Sequence, residues 1–243
     1  MFAGMDHQNA LDSALKIVES RFTDAVAAFV TGSTLSYHRA FTFDLDIVIV
    51  LRGGPAPFRE TIREFGWLVE IFVHTPETID YFATLESVGH RATTHRMIAE
   101  GHILLSVDGE AERIQAAAFT SLSKGPPTPS VAEMNRRRYS LTILLDDFLA
   151  TTDATELLLI VAELVTGCSE LALLSKLHWL ATGKWLARHL AVSDPDLSKR
   201  LVEATKCAVA DGDKEQLEST VREILERVGG PLKEGYRDED ILV

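Results

Sequence analysis

A strongly apolar run headed by two aspartates, Asp44-Leu45-Asp46-Ile47-Val48-Ile49-Val50, constrains this chain more than any other stretch. Side chains alternate along a strand with a period of two, so Asp44 and Asp46 project from one face and Leu45 from the other. The wholly apolar continuation to Leu51 suits a strand covered on both faces, and a central strand is expected over 42–51. Two carboxylates side by side repel each other, and a shared divalent cation is the simplest compensation. Two acids capping turns at a strand end are the plainer alternative. The small-residue turn Gly32-Ser33 precedes the pair and offers backbone N–H groups and a hydroxyl to a phosphate. A second apolar strand, expected over 67–74, carries the solitary acid Glu70.

The surrounding pattern predicts strands alternating with helices. Leu11, Ala14, Leu15, Val18 and Phe22 recur at helical spacing, giving a helix over 10–24 after an irregular lead-in over 1–9. A short strand over 27–30 delivers the Gly32-Ser33 turn, and a helical turn or two is expected over 35–40. A short helix is expected over 58–65, closed by Gly66. Thr75-Pro76 has the cap-then-proline form of a helix start, with a further helix over 93–100. An edge-type strand over 102–107 and a helix over 112–123 complete this part. The stretch Lys124-Gly125-Pro126-Pro127-Thr128-Pro129-Ser130 is a boundary.

Beyond it no strand pattern appears. Leu141, Leu144, Leu145, Phe148 and Leu149 define one amphipathic helix. Thr152-Asp153 caps a second that runs to Val165, and a third is expected over 170–190. Asp194-Pro195 starts a fourth, and Leu217, Val221, Ile224, Leu225 and Val228 mark a fifth. Short connections favour antiparallel neighbours in a bundle. The fold class is therefore α+β, with domains over 10–123 and 131–228, a linker over 124–130, and a tail over 229–243 that is expected to trail.

The net charge of -12, from 24 basic and 36 acidic residues, disfavours a long nucleic-acid partner. A small substrate, and a cationic one especially, suits such a surface better. Cys168 and Cys207 sit among apolar helical residues and are expected to be buried free thiols. His74, His90, His95 and His102 lack zinc-motif spacing. No apolar run is read as a membrane span and the start lacks a signal-peptide plan, so a cytoplasmic address is expected.

The order Gly32-Ser33, then Asp44-x-Asp46, then Glu70 in the next strand resembles the nucleotidyltransferase superfamily typified by DNA polymerase beta. It is most similar to the small bacterial branch that includes aminoglycoside and lincosamide nucleotidyltransferases. The interval from Ser33 to Asp44 matches that family's, and Glu100-Gly101-His102-Ile103-Leu104-Leu105 is similar as well. The chain departs from the pattern at Tyr37, where a second glycine is usual, and at Phe43, where serine is usual.

The resemblance implies a mixed sheet with helices followed by a helical domain. It also implies transfer of a nucleoside monophosphate from a nucleoside triphosphate, with ATP expected, to a hydroxyl of a small acceptor such as an aminoglycoside. Pyrophosphate would be released and two Mg²⁺ ions would serve as cofactors. Asp44 and Asp46 would bind or bridge both ions, and Glu70 would complete the site and act as base. Ser33 and the Gly32 backbone would hold the β and γ phosphates. Phosphate-side charge is expected from Arg39, from Arg138 in the run Arg136-Arg137-Arg138-Tyr139, and from Lys184. Lys176 and Lys184 are expected on one face of the third bundle helix, beside Trp179 and Trp185. Ordinary surface or helix packing is the competing account for these basic residues. The alternative to an enzyme is a catalytically degenerate binding or regulatory module, such as a toxin–antitoxin partner. The oligomeric state is open between monomer and homodimer.

Overall fold

A computed structural model describes residues 7–32 and 44–238. The chain divides into two compact units, on either side of Gly125 and Pro126. The first is a mixed α/β sheet with helices and the second a helical bundle, which is the α+β architecture expected from the sequence.

In the first unit, helix α1 (His7–Arg21) leads into β1 (Ala25–Thr31), then β2 (Asp44–Leu51), β3 (Phe58–Glu64) and β4 (Trp67–His74). Helices α2 (Pro76–Val88) and α3 (Thr93–Ala99), strand β5 (His102–Ser106) and helix α4 (Glu110–Ser123) follow. Among the described residues the sheet is five-stranded, in the order β3-β4-β2-β1-β5. Strands β2 and β4 are parallel, and the other neighbours are antiparallel. Strand β2 thus lies at the centre, where a strand of continuous apolar character belongs.

The period of two sorts β2 between two cores. Leu45, Ile47 and Ile49 pack with Ala14, Ile17 and Val18 of α1 and with Val69 and Ile71 of β4. Val48 and Val50 pack on the opposite face with Ile79 of α2, Ile98 of α3 and Ile114 of α4. Asp44 and Asp46 are in step with Val48 and Val50, so they share that second face.

The sequence expectation of a short helix over 58–65 is overturned. Residues 58–64 form β3, an edge strand paired antiparallel with β4. Glu64 pairs with Trp67, and the two intervening residues Phe65 and Gly66 have φ of 49° and 85°. Both central residues are left-handed, which is the type I′ turn whose twist matches a hairpin. The many charges of β3 suit an edge, where exposed hydrogen-bonding groups need protection from further pairing.

The second unit holds α5 (Val131–Ala150), α6 (Ala154–Ser175), α7 (Lys184–Ser193), α8 (Pro195–Asp211) and α9 (Glu215–Arg227). Ser130, Asp153 and Asp194 cap α5, α6 and α8 with their side chains. The core is built from Leu145, Phe148, Leu164, Leu171, Leu201, Val221 and Ile224 among others.

The predicted third helix over 170–190 is divided, because α6 continues through Gly167 to Ser175 and then stops. His178 N–H donates to the Leu173 carbonyl and Leu177 N–H to the Leu174 carbonyl, while Leu177 takes φ 55°. This is a Schellman ending with leucine in the position glycine usually takes. Lys176 and Lys184 therefore belong to different elements, the C-cap of α6 and the first residue of α7. In addition, α6 is long and apolar enough to cross a membrane by length and composition, unlike the sequence reading. Its residues Val161, Leu164, Cys168 and Leu171 are buried in the bundle. Cys207 is half-buried, whereas Cys168 is fully enclosed and burial pushes its thiol up to about 12.

Residues 229–238, after α9, are packed rather than trailing. Arg138 donates to the carbonyls of Gly229 and Gly230 at 2.6 and 2.8 Å, and Leu232 N–H donates to Thr142 Oγ1. Lys233 pairs with Asp146, Arg136 pairs with Asp238, and Tyr236 stacks on Tyr139 at 4.1 Å between centroids. Residues 229–238 are thus strapped to α5.

Candidate functional site

The site follows from strand register. Asp46 lies opposite Glu70 in the parallel β2–β4 pair and opposite Thr31 in the antiparallel β1–β2 pair. Thr61 of β3 lies opposite Glu70 in turn. Directly opposite residues point to the same sheet face, so Thr61, Glu70, Asp46 and Thr31 form one row across four strands. Adjacent members are separated by one strand spacing, about 4.8 Å between backbones. Asp44 stands two residues before Asp46 on the same face, with Leu68 opposite it. Asp44, Asp46 and Glu70 are all partly accessible rather than sealed in the core.

The Gly32 backbone closes against this row. It has φ 99°, and a Cβ built there would lie 2.5 Å from Asp46 Oδ2. Only a residue without a side chain lets the end of β1 approach the carboxylate so closely. Ser33, the hydroxyl partner expected for phosphate, lies outside the described residues, as do Arg39, Tyr37 and Phe43.

Glu70 has a specific partner. Arg59 Nη2 stands 2.7 Å from both of its carboxylate oxygens. The Arg59 guanidinium also sits over Phe72, with Cζ 4.9 Å from the ring centroid. Register explains both contacts, since Arg59 is opposite Phe72 and therefore one step diagonal from Glu70 on the same face. Sequence reading missed Arg59 because it assigned residues 58–65 to a helix. The alternation Arg59, Thr61, Arg63 against Glu60, Ile62, Glu64 was the available signal.

Hard carboxylate oxygens on a solvent-reached face are a donor set that suits Mg²⁺. Among the described residues, however, no three His, Cys, Asp or Glu groups are gathered closely enough to hold one ion. Glu70 is turned to Arg59, and Asp44 and Asp46 stand two residues apart on the same face.

Arg138 and Lys176 are engaged within the second unit. Arg138 is bonded to Gly229, Gly230 and Asn135 within the bundle. Lys184 is exposed at the start of α7, where it adds positive charge to a helix N-terminus. Lys176 pairs with Asp194 at 2.9 Å, and Arg188 lies over Trp185 at 4.5 Å. His74, at the end of β4, is buried against Phe82, and burial lowers its pKa.

No family model matches the chain, and no curated protein matches it. Among solved structures, there is a weak likeness to a nucleotidyltransferase-like protein from Exiguobacterium sibiricum 255-15. It has a TM-score of 0.47 at 10% identity, over 90% of this chain and 74% of that chain. At that level it carries no argument about chemistry, which stands on the residues of the sheet face.

Proposed function

We propose that the chain is a divalent-metal-dependent nucleotidyltransferase, moving a nucleoside monophosphate from a nucleoside triphosphate, ATP by preference, to a hydroxyl of a small acceptor. The observation that carries this reading is the register that sets Asp46 beside Glu70, with Asp44 on the same face. When bound, Mg²⁺ neutralises the phosphates and aligns attacking and leaving oxygens. Asp44 and Asp46 would hold the metal. Glu70 would complete the ligand set and accept the acceptor's hydroxyl proton. The Gly32 backbone, with Ser33, would face the β and γ phosphates, and Arg39 stands as a proposed phosphate-side cation. The net charge of -12 supports a small, cationic acceptor of the aminoglycoside kind over a polynucleotide. A cytoplasmic setting fits an intracellular supply of ATP and Mg²⁺.

One observation favours a second reading. Arg59 already occupies Glu70, as it would in a degenerate module that binds without turnover. Pyrophosphate release separates the two. With ATP, Mg²⁺ and a panel of aminoglycosides, lincosamides and protein hydroxyls, the enzyme reading predicts release that Asp44→Asn abolishes. Release unchanged in Asp44→Asn would overturn the site, and no release with any acceptor or triphosphate would favour the module.

A further inference from the structure

The Arg59–Glu70 contact lies on the same sheet face as the aspartate pair, and its geometry is that of an exchangeable cation. One nitrogen, Nη2, reaches both oxygens of Glu70 at 2.7 Å. The pair is not enclosed: the side chains of Arg59 and Glu70 are 59% and 31% exposed. Exposed pairs of this kind are weak, because water screens them and two long side chains must be ordered. The arginine stem crosses from the edge strand β3, and its guanidinium keeps a second support in the Phe72 ring. It can therefore leave the carboxylate without losing its place on the sheet, since stacking on an aromatic face holds a guanidinium independently of its ion pair.

We propose that Arg59 is a positioning residue that holds Glu70 in reserve. In the resting protein the guanidinium neutralises the third acid and occupies both of its oxygens. A divalent cation binding at the two aspartates then competes with Arg59 for Glu70, and the full three-carboxylate set forms only when Arg59 lets go. This rests on the assignment of the acidic row as a metal site. Its particular consequence is that an arginine of the edge strand, eleven residues before Glu70, sets the metal affinity. Removing the competitor should strengthen binding, the opposite of what loss of a ligand or of ordinary structural support would do.

The test uses Mn²⁺ as the probe, with free ion counted by electron paramagnetic resonance during titration of the full chain. Arg59→Gln should bind Mn²⁺ about fivefold more tightly than wild type, the factor expected from releasing an exposed ion pair. Arg59→Lys should restore wild-type affinity, and Asp46→Asn should lose binding. Arg59→Gln binding no more tightly than wild type, while Asp46→Asn still loses binding, would overturn the role of Arg59 and leave the metal site standing. Arg59→Lys binding as tightly as Arg59→Gln would also overturn it. Mn²⁺ bound equally by Asp46→Asn, or by none of the proteins, would overturn the site and the role of Arg59 together.

Discussion

Carboxylates meet basic side chains in both units, but in different ways. In the bundle they form a continuous chain. Lys176 and Arg227 both reach Asp194, and Arg227 and Arg200 both reach Glu223. These contacts tie the end of α6, the α7–α8 junction, α8 and α9 together. Burial pushes the Asp194 carboxyl up, but hydrogen bonds from Lys176, Leu197 N–H and Arg227 outweigh it and hold the group at about 2. The Arg200 hydrogen bond, helped by Arg227, holds Glu223 at about 2 against its own burial. On the sheet, Arg59 is instead the single basic partner of Glu70 among the described residues. A doubly bridged carboxylate locks elements together, whereas a singly held one can exchange its partner. Similar residue types thus tie several elements together in one region and form a single pair in the other.

The largest expected effect breaks the chemical side of this contrast. Asp46→Asn should lower pyrophosphate release by about a hundredfold or more, the scale of losing metal stabilisation of developing charge. Circular dichroism should stay unchanged, because the residue is partly accessible rather than part of the core.

On the structural side, Arg227→Ala removes the cation shared by Asp194 and Glu223. A loss of about 2 kcal/mol in chemical denaturation is expected, the scale for hydrogen bonds to charged groups. The same network sets an acid response. Asp194 and Glu223 have folded pKa values of about 2, below their ordinary 3.8 and 4.5. Depressed carboxyl pKa values contribute stability that is fully present above the ordinary values and lost as pH falls through the folded ones. Stability followed by denaturant titration should therefore fall between about pH 4.5 and 2, and Arg227→Ala should flatten that fall.

A smaller effect is expected at Gly32→Ala, which places a methyl 2.5 Å from Asp46 Oδ2 at φ 99°. Strain of this kind costs about 1–3 kcal/mol, and the displaced carboxylate should reduce metal binding along with stability. The smallest stability change is expected for Arg59→Gln, under about 1 kcal/mol as for other exposed pairs. The contrast between that small change and the tighter Mn²⁺ binding would sharpen the distinction between the two regions.

Local signals made the centre of this fold legible. The two aspartates and the apolar run announced β2, and Thr75-Pro76 marked the start of α2, where Thr75 and Thr78 form a reciprocal cap. Alternation placed Asp44 and Asp46 on one face. It did not give the register that pairs Asp46 with Glu70, because register depends on contacts between strands. The edge strand β3 was hidden by charges that suit both an exposed helix and an edge, and by Phe65 taking a left-handed turn position without the usual Asn or Gly. Arg59 was lost with it. Leu177 hid the α6–α7 boundary in the same way, since it adopts φ 55° with no glycine to mark the stop. The strap over α5 was illegible because it depends on pairings such as Arg138 with Gly229 and Gly230, distant in sequence.

The most direct test of the acidic row is calorimetric titration of ATP with and without Mg²⁺, in wild type and Asp46→Asn. The row predicts that ATP and Mg²⁺ bind wild type together, that ATP alone binds weakly, and that Asp46→Asn loses the Mg²⁺-dependent binding. Equal ATP binding by both proteins, with no dependence on Mg²⁺, would contradict it.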